Sequence, residues 1–126
     1  MKSTKGFTLV ELVIVIVIVG ILSVVAVPVY KGYTKKAMAT EGKALLGAIN
    51  TSQKVYFAEW ANFATGTQSG SLDVDAATNK YFTTYALTGN STGFTATTSG
   101  AGGASGIGLT LTGSSTGASN ISESGL

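Results

Sequence analysis

A chain of 126 residues has the size of one ordinary domain. Its 8 Lys, no Arg and 6 acidic residues leave a formal charge of +2, far from the dense basic face of an electrostatic nucleic-acid binder. Cys and His are both missing, which excludes disulfides, thiolate chemistry, His-based acid–base catalysis and zinc sites of the usual kind.

The first element is a short leader, Met1 to Gly6, with two lysines, Lys2 and Lys5. It is too short to be a hydrophobic signal, and its charges favour the cytoplasmic side of a membrane. From Leu12 to Tyr30 no side chain is charged. Counted from Phe7 to Val29 the apolar segment spans about 35 Å as a helix, against a hydrocarbon core of roughly 30 Å. The alternating Val and Ile residues from Val13 to Val19 suit a strand in water. In lipid a lone segment pairs its backbone internally only as a helix, so the expectation is a transmembrane helix over 7–30. A core helix of a soluble domain and a secretory signal cleaved near Ala26 are the competing readings. A helix apolar on every face has little room in so small a globule, and the apolar run exceeds a signal's usual length.

Neither competitor explains Glu11, a carboxylate at the head of the apolar run. Membrane-embedded acids normally have a partner, and the next lysine along the helix is Lys31, roughly five turns or more away. If a peptidase cuts after Gly6, the new α-amine of Phe7 becomes a cation at the same depth. The Glu11 of one subunit and the Phe7 amine of another then attract, which favours staggered neighbours over lone subunits.

Lys5-Gly6-Phe7-Thr8-Leu9-Val10-Glu11, followed by an apolar helix containing Gly20 and Pro28, resembles the N-terminal signature of type IV pilins and the related pseudopilins. The resemblance covers roughly residues 5–33 without a gap. It implies cleavage between Gly6 and Phe7 by a prepilin peptidase, N-methylation of the Phe7 amine, and use of Glu11 in subunit registration. It also implies local unwinding between Gly20 and Pro28 when subunits pack into a filament. Physical chemistry alone predicts only a kink there, because Pro28 has no amide hydrogen and crowds the Val24 carbonyl.

After Tyr30 the helical period returns with charge: Lys31, Lys35, Lys36, Glu41 and Lys43. Leu45, Ile49, Ser52, Tyr56 and Trp60, with Ala48 and Val55 beside them, form one stripe of an amphipathic helix over 31–64. The stripe reads as the core face of a globular region. An aromatic relay for electrons through Tyr30, Tyr33, Tyr56, Phe57, Trp60 and Phe63 is the less economical reading.

Residues 65–126 read as a Gly/Ser/Thr-rich β-sheet region. Gly66 to Ser71 is expected as a loop, and Asp73 and Asp75 as a solvated turn, lacking the further ligands of a calcium loop. Tyr81–Thr88, Phe94–Thr98 and Ile107–Leu111 are predicted strands, joined by a turn over 89–93 and a Gly-rich loop over 99–105. Residues 113–126 are expected as an irregular tail. Three Asn-x-Ser/Thr triplets, at Asn50, Asn90 and Asn120, arise readily by chance in such a composition.

The fold class expected is α+β: a long N-terminal helix, membrane-spanning then amphipathic, packed on a small antiparallel sheet. The function expected is a structural subunit of a type IV pilus. It is held in the inner membrane with its N-terminus cytoplasmic, processed at Gly6/Phe7, and polymerised with copies of itself into an extracellular filament. Without Lys2 and Lys5, 6 Lys face 6 acids, which limits repulsion between packed copies. The expected partners are the peptidase and an external assembly motor and platform, since the chain has no phosphate-binding loop of its own. No cofactor, metal or nucleic acid is expected, and no enzyme activity. A pseudopilin of a type II secretion system is the alternative, disfavoured by the lack of an acidic, metal-ligating C-terminal loop. A membrane-anchored or secreted adhesin-like domain is more remote.

Overall fold

The computed structural model describes residues 2–67 and 72–126. The chain divides into two compact units that meet between Tyr33 and Thr34. One helix, α1 (Leu9–Trp60), supplies the N-terminal unit and the first element of the second. It is followed by five strands, β1 (Gly66–Thr67), β2 (Ala86–Gly89), β3 (Gly93–Ser99), β4 (Gly108–Ser114) and β5 (Ser119–Ser124). They form one antiparallel sheet in chain order. The class is α+β, as the sequence implies.

In the first unit the apolar side chains from Phe7 to Val29 are all exposed. α1 is the one helix among the described residues long and apolar enough to cross a bilayer. Its single hydroxyl in that stretch, Ser23, donates to the Val19 carbonyl at 2.7 Å, so the polar group is satisfied inside the helix. α1 runs through both Gly20 and Pro28.

In the second unit the core lies between α1 and one face of the sheet. Ala39, Gly42, Leu46, Ile49 and Gln53 step by three and four along α1 and are buried, with Leu45 beside them. Opposite them, Leu87, Ala96, Leu111 and Ile121 stand in register across β2 to β5 and point inward. Fully burying each of Leu46, Ile49, Leu109 and Leu111 contributes about 1.5–3 kcal/mol. At Gly42 the helix comes so close that an added Cβ overlaps Leu109 Cδ1 and lies 2.9 Å from Phe82 Cδ1.

The buried stripe is rotated from the predicted one. Leu45 and Ile49 are buried and Ser52 and Tyr56 half-buried, but Ala48, Val55 and Trp60 are exposed. Leu46 and Gln53 take their places. Gln53 escaped the hydrophobicity count because it is polar. Its Nε2 donates to the Ala64 carbonyl at 2.9 Å and its Oε1 accepts the Ala64 amide at 2.8 Å, so burial leaves none of these groups unpaired. The same contacts end the helix at Trp60 instead of residue 64. Ala61 takes a left-handed conformation, φ 53°, and its amide closes on the Phe57 carbonyl at 2.8 Å. Phe63 and Ala64 then turn back into the core.

Three strand expectations need correction. Tyr81 to Tyr85 precede the strand, and β2 begins at Ala86. The amides of Tyr81 and Phe82 donate to Glu41 Oε1 at 2.7 and 3.0 Å, and the Tyr81 carbonyl accepts from Ala101, so a helix side chain and a loop replace a neighbouring strand. Gly66–Thr67, expected in a loop, pair with Leu87 and Ala86; Gln68 to Ser71 of that loop lie outside the described residues. Most of the expected tail is ordered: β4 extends to Ser114, Gly117 turns the chain at φ 92°, and β5 returns along β4. Lys43 pairs with Glu123 at 2.5 Å, Lys35 donates to the Gly125 carbonyl and Asn50 to Ser119 Oγ, which ties β5 to the helix.

Candidate assembly site

The residues singled out at the N-terminus occupy the start of α1. Thr8 is the residue before the helix and Glu11 lies in its first turn. The Thr8 amide and hydroxyl both donate to Glu11 Oε2, at 2.8 and 2.9 Å, and the Glu11 amide donates back to Thr8 Oγ1 at 3.2 Å. This is a reciprocal capping box, Thr-x-x-Glu, which satisfies amides that the first helical turn leaves without carbonyl partners. The carboxylate also sits at the positive end of the helix dipole.

The capping role was legible in the spacing of Thr8 and Glu11 but escaped a reading that sought only a cation. It qualifies the expected isolation of Glu11: Oε2 is hydrogen-bonded from within its own chain. Neutral donors do not remove the charge, however, and the Lys43–Glu123 ion pair lies far along the chain. Glu11 therefore has a hydrogen-bonding partner and still no counter-ion.

Phe7 is 88% exposed and free to meet another molecule. Gly6 has open space around the position of a Cβ, so the fold itself does not require glycine there. The same holds at Gly20. At Pro28 the missing amide leaves the Val24 carbonyl without its helical donor, a weak point in an otherwise continuous ladder.

In the second unit, Glu41 is the carboxylate with the most demanding role. The amides of Tyr81 and then Phe82 hold its acid below the usual carboxylate range. Asp75 Oδ1 caps a turn through the Ala77 amide at 2.8 Å, and Asp73 is exposed, which agrees with the solvated turn expected there. No cluster of three metal-ligating side chains occurs among the described residues.

Residues 1–27 match the family described as the prokaryotic N-terminal methylation motif. The chain is 40% identical over 81 residues to a fimbrial protein of Moraxella nonliquefaciens, covering 64% of this chain and 53% of that protein. The N-terminal part of the chain is similar to type IV pilins and fimbrial proteins. A type IV major alpha-pilin of Moraxella bovis is 46% identical over 52 residues, which is 41% of this chain and 33% of the relative. The type IV major pilin protein PilA of Myxococcus xanthus is 42% identical over 55 residues, 44% of this chain and 25% of its own. The chain thus spans about half the length of the first of these relatives and less of the others. No solved structure matches it.

Proposed function

We propose that this protein is a structural subunit of a type IV pilus, not an enzyme. The carrying observation is the head of α1: a charged, capped Glu11 without a cation, followed by a wholly exposed apolar helix. Both features are unstable in an isolated soluble protein and are resolved by one arrangement. The helix rests in the inner membrane, its basic leader on the cytoplasmic side, and later exchanges lipid for the apolar helices of neighbouring copies.

Cleavage after Gly6 exposes the Phe7 amine, and its methylation preserves a positive charge. The capping box holds the Glu11 carboxylate in a defined orientation, and the amine of an adjacent subunit approaches it to complete the pair. Weakness at Pro28, with Gly20 eight residues earlier, lets the helix unwind locally as copies pack. A peptidase, a motor and a membrane platform act from outside the chain, and the product is an extracellular filament.

The test is N-terminal sequencing and intact mass of fibres sheared from cells. Chains starting at methylated Phe7 support the reading; chains starting at Met1 or Val27 refute it. Glu11→Gln, which keeps a capping acceptor but removes the charge, is expected to insert normally and to cut filament yield severely. Normal filaments from that variant, quantified on immunoblots of sheared material, contradict the pairing.

A further inference from the structure

The face of α1 that the core leaves open points to a second contact between copies, one that rests on the filament reading above. Thr51, Ser52, Val55, Tyr56 and Glu59, with Leu72 and Asp73, line a depression of about 230 Å³. Val55 is 57% exposed and Trp60 66%, with the Trp60 ring 6.2 Å from that of Tyr56. The site therefore combines an apolar floor, aromatic faces and two exposed carboxylates, Glu59 and Asp73. The ion pair of Lys43 with Glu123 uses neither of them.

We propose that this depression receives the Lys36 side chain of a neighbouring copy. A lysine suits it: the four-carbon stem packs on Val55, Leu72 and Tyr56, and the ammonium meets both carboxylates beside aromatic rings. The other lysines of this unit are committed or badly placed. Lys35 holds the Gly125 carbonyl, Lys43 holds Glu123, and Lys80 stands 5.0 Å over the Tyr81 ring. Lys54 lies beside the depression on the same helix, so a neighbour's Lys54 brings like patches together and tends to close a pair.

Lys36 is exposed and precedes Glu59 by 23 positions, about 35 Å of helix. A contact between two patches so far apart is heterologous: each copy offers a lysine at one place and a pocket at another. Such contacts repeat without closing and generate filaments. The staggered packing favoured by Glu11 at the apolar end thereby gains a charge-complementary partner in the globular unit.

Charge reversal and cross-linking in the full-length, cysteine-free chain test the proposal. Lys36→Glu and Glu59→Lys are each expected to lower sheared-filament yield about tenfold or more, and the double reversal to restore most of it. Filaments carrying Lys36→Cys with Glu59→Cys are expected to yield a disulfide-linked ladder that neither single variant gives. Parental yield from Lys36→Glu, a double reversal no better than the worse single variant, or filaments without a ladder overturns the proposal. A ladder from Lys54→Cys with Glu59→Cys in its place assigns the pocket to another lysine and overturns it too. A parental chain that makes no filaments strikes the filament reading itself and takes the pocket assignment with it.

Discussion

Two glycines five residues apart on α1 separate helix propensity from packing. Replacing a helical glycine by alanine normally stabilises by about 0.8–1 kcal/mol, because alanine loses less backbone entropy. At Gly47 an added Cβ meets nothing within 4 Å, so Gly47→Ala should realise that gain in full. At Gly42 the same Cβ overlaps Leu109 Cδ1 and stands 2.9 and 3.0 Å from two carbons of the Phe82 ring. Both neighbours are fully buried and packed, so neither retreats freely. Overpacking of this kind costs about 1–3 kcal/mol. Gly42→Ala should therefore fall between neutral and about 2 kcal/mol destabilised, and below Gly47→Ala by roughly the whole packing cost. For a domain of this size each kcal/mol moves Tm by about 4–8 °C. Thermal unfolding of the full chain in detergent, followed by near-ultraviolet circular dichroism of Trp60 and the tyrosines, reads the difference. Equal Tm values for the two variants, or a higher one for Gly42→Ala, would show that the helix is not pressed against β4 and refute the packing described here.

Gln53→Leu keeps the volume of a buried side chain but strands the amide and carbonyl of Ala64; a loss of about 2–4 kcal/mol is expected in chemical denaturation. Glu41 has a folded-state pKa below its unfolded one, so its contribution is present above the unfolded value and disappears as pH falls through the folded value. Acid titration of Tm should show that loss in the parent and a flatter acid limb in Glu41→Gln, with no difference between the two at the acid extreme. Gly6→Val should leave the Tm of the second unit unchanged, because nothing surrounds that position, while the unprocessed form accumulates on immunoblots.

Legibility differed along the chain for physical reasons. The apolar run from Phe7 to Val29 was readable as a helix because a lone segment in lipid can pair its backbone in no other way, and α1 is helical there from Leu9 onward. The predicted strands over 94–98 and 107–111 were readable because alternating residues had one face to bury. Tyr81 to Tyr85 carried the same β-forming residue types and did not join the sheet, since Glu41, 40 residues earlier, captures the amides a ladder requires. Gln53 and β5 were missed in the opposite direction: their placement depends on Ala64, Lys43 and Lys35, partners invisible to a local window. At the N-terminus, Thr8 and Glu11 are three residues apart, and their box was present in the sequence for a reader who looked for caps.

What the sequence by itself determined is whatever depends on neighbours in the chain: the apolar helix, the Thr8–Glu11 spacing at its head and the α+β class. Only the tertiary structure decided which side of α1 faces the sheet, where the helix stops, and that Val55 and Trp60 remain outside. A helical stripe is defined by periodicity to within a turn or so of rotation, whereas close packing admits one orientation. Here that orientation is selected by Gly42 against Leu109 and by Gln53 against Ala64, contacts between residues that the chain keeps apart and the fold brings together.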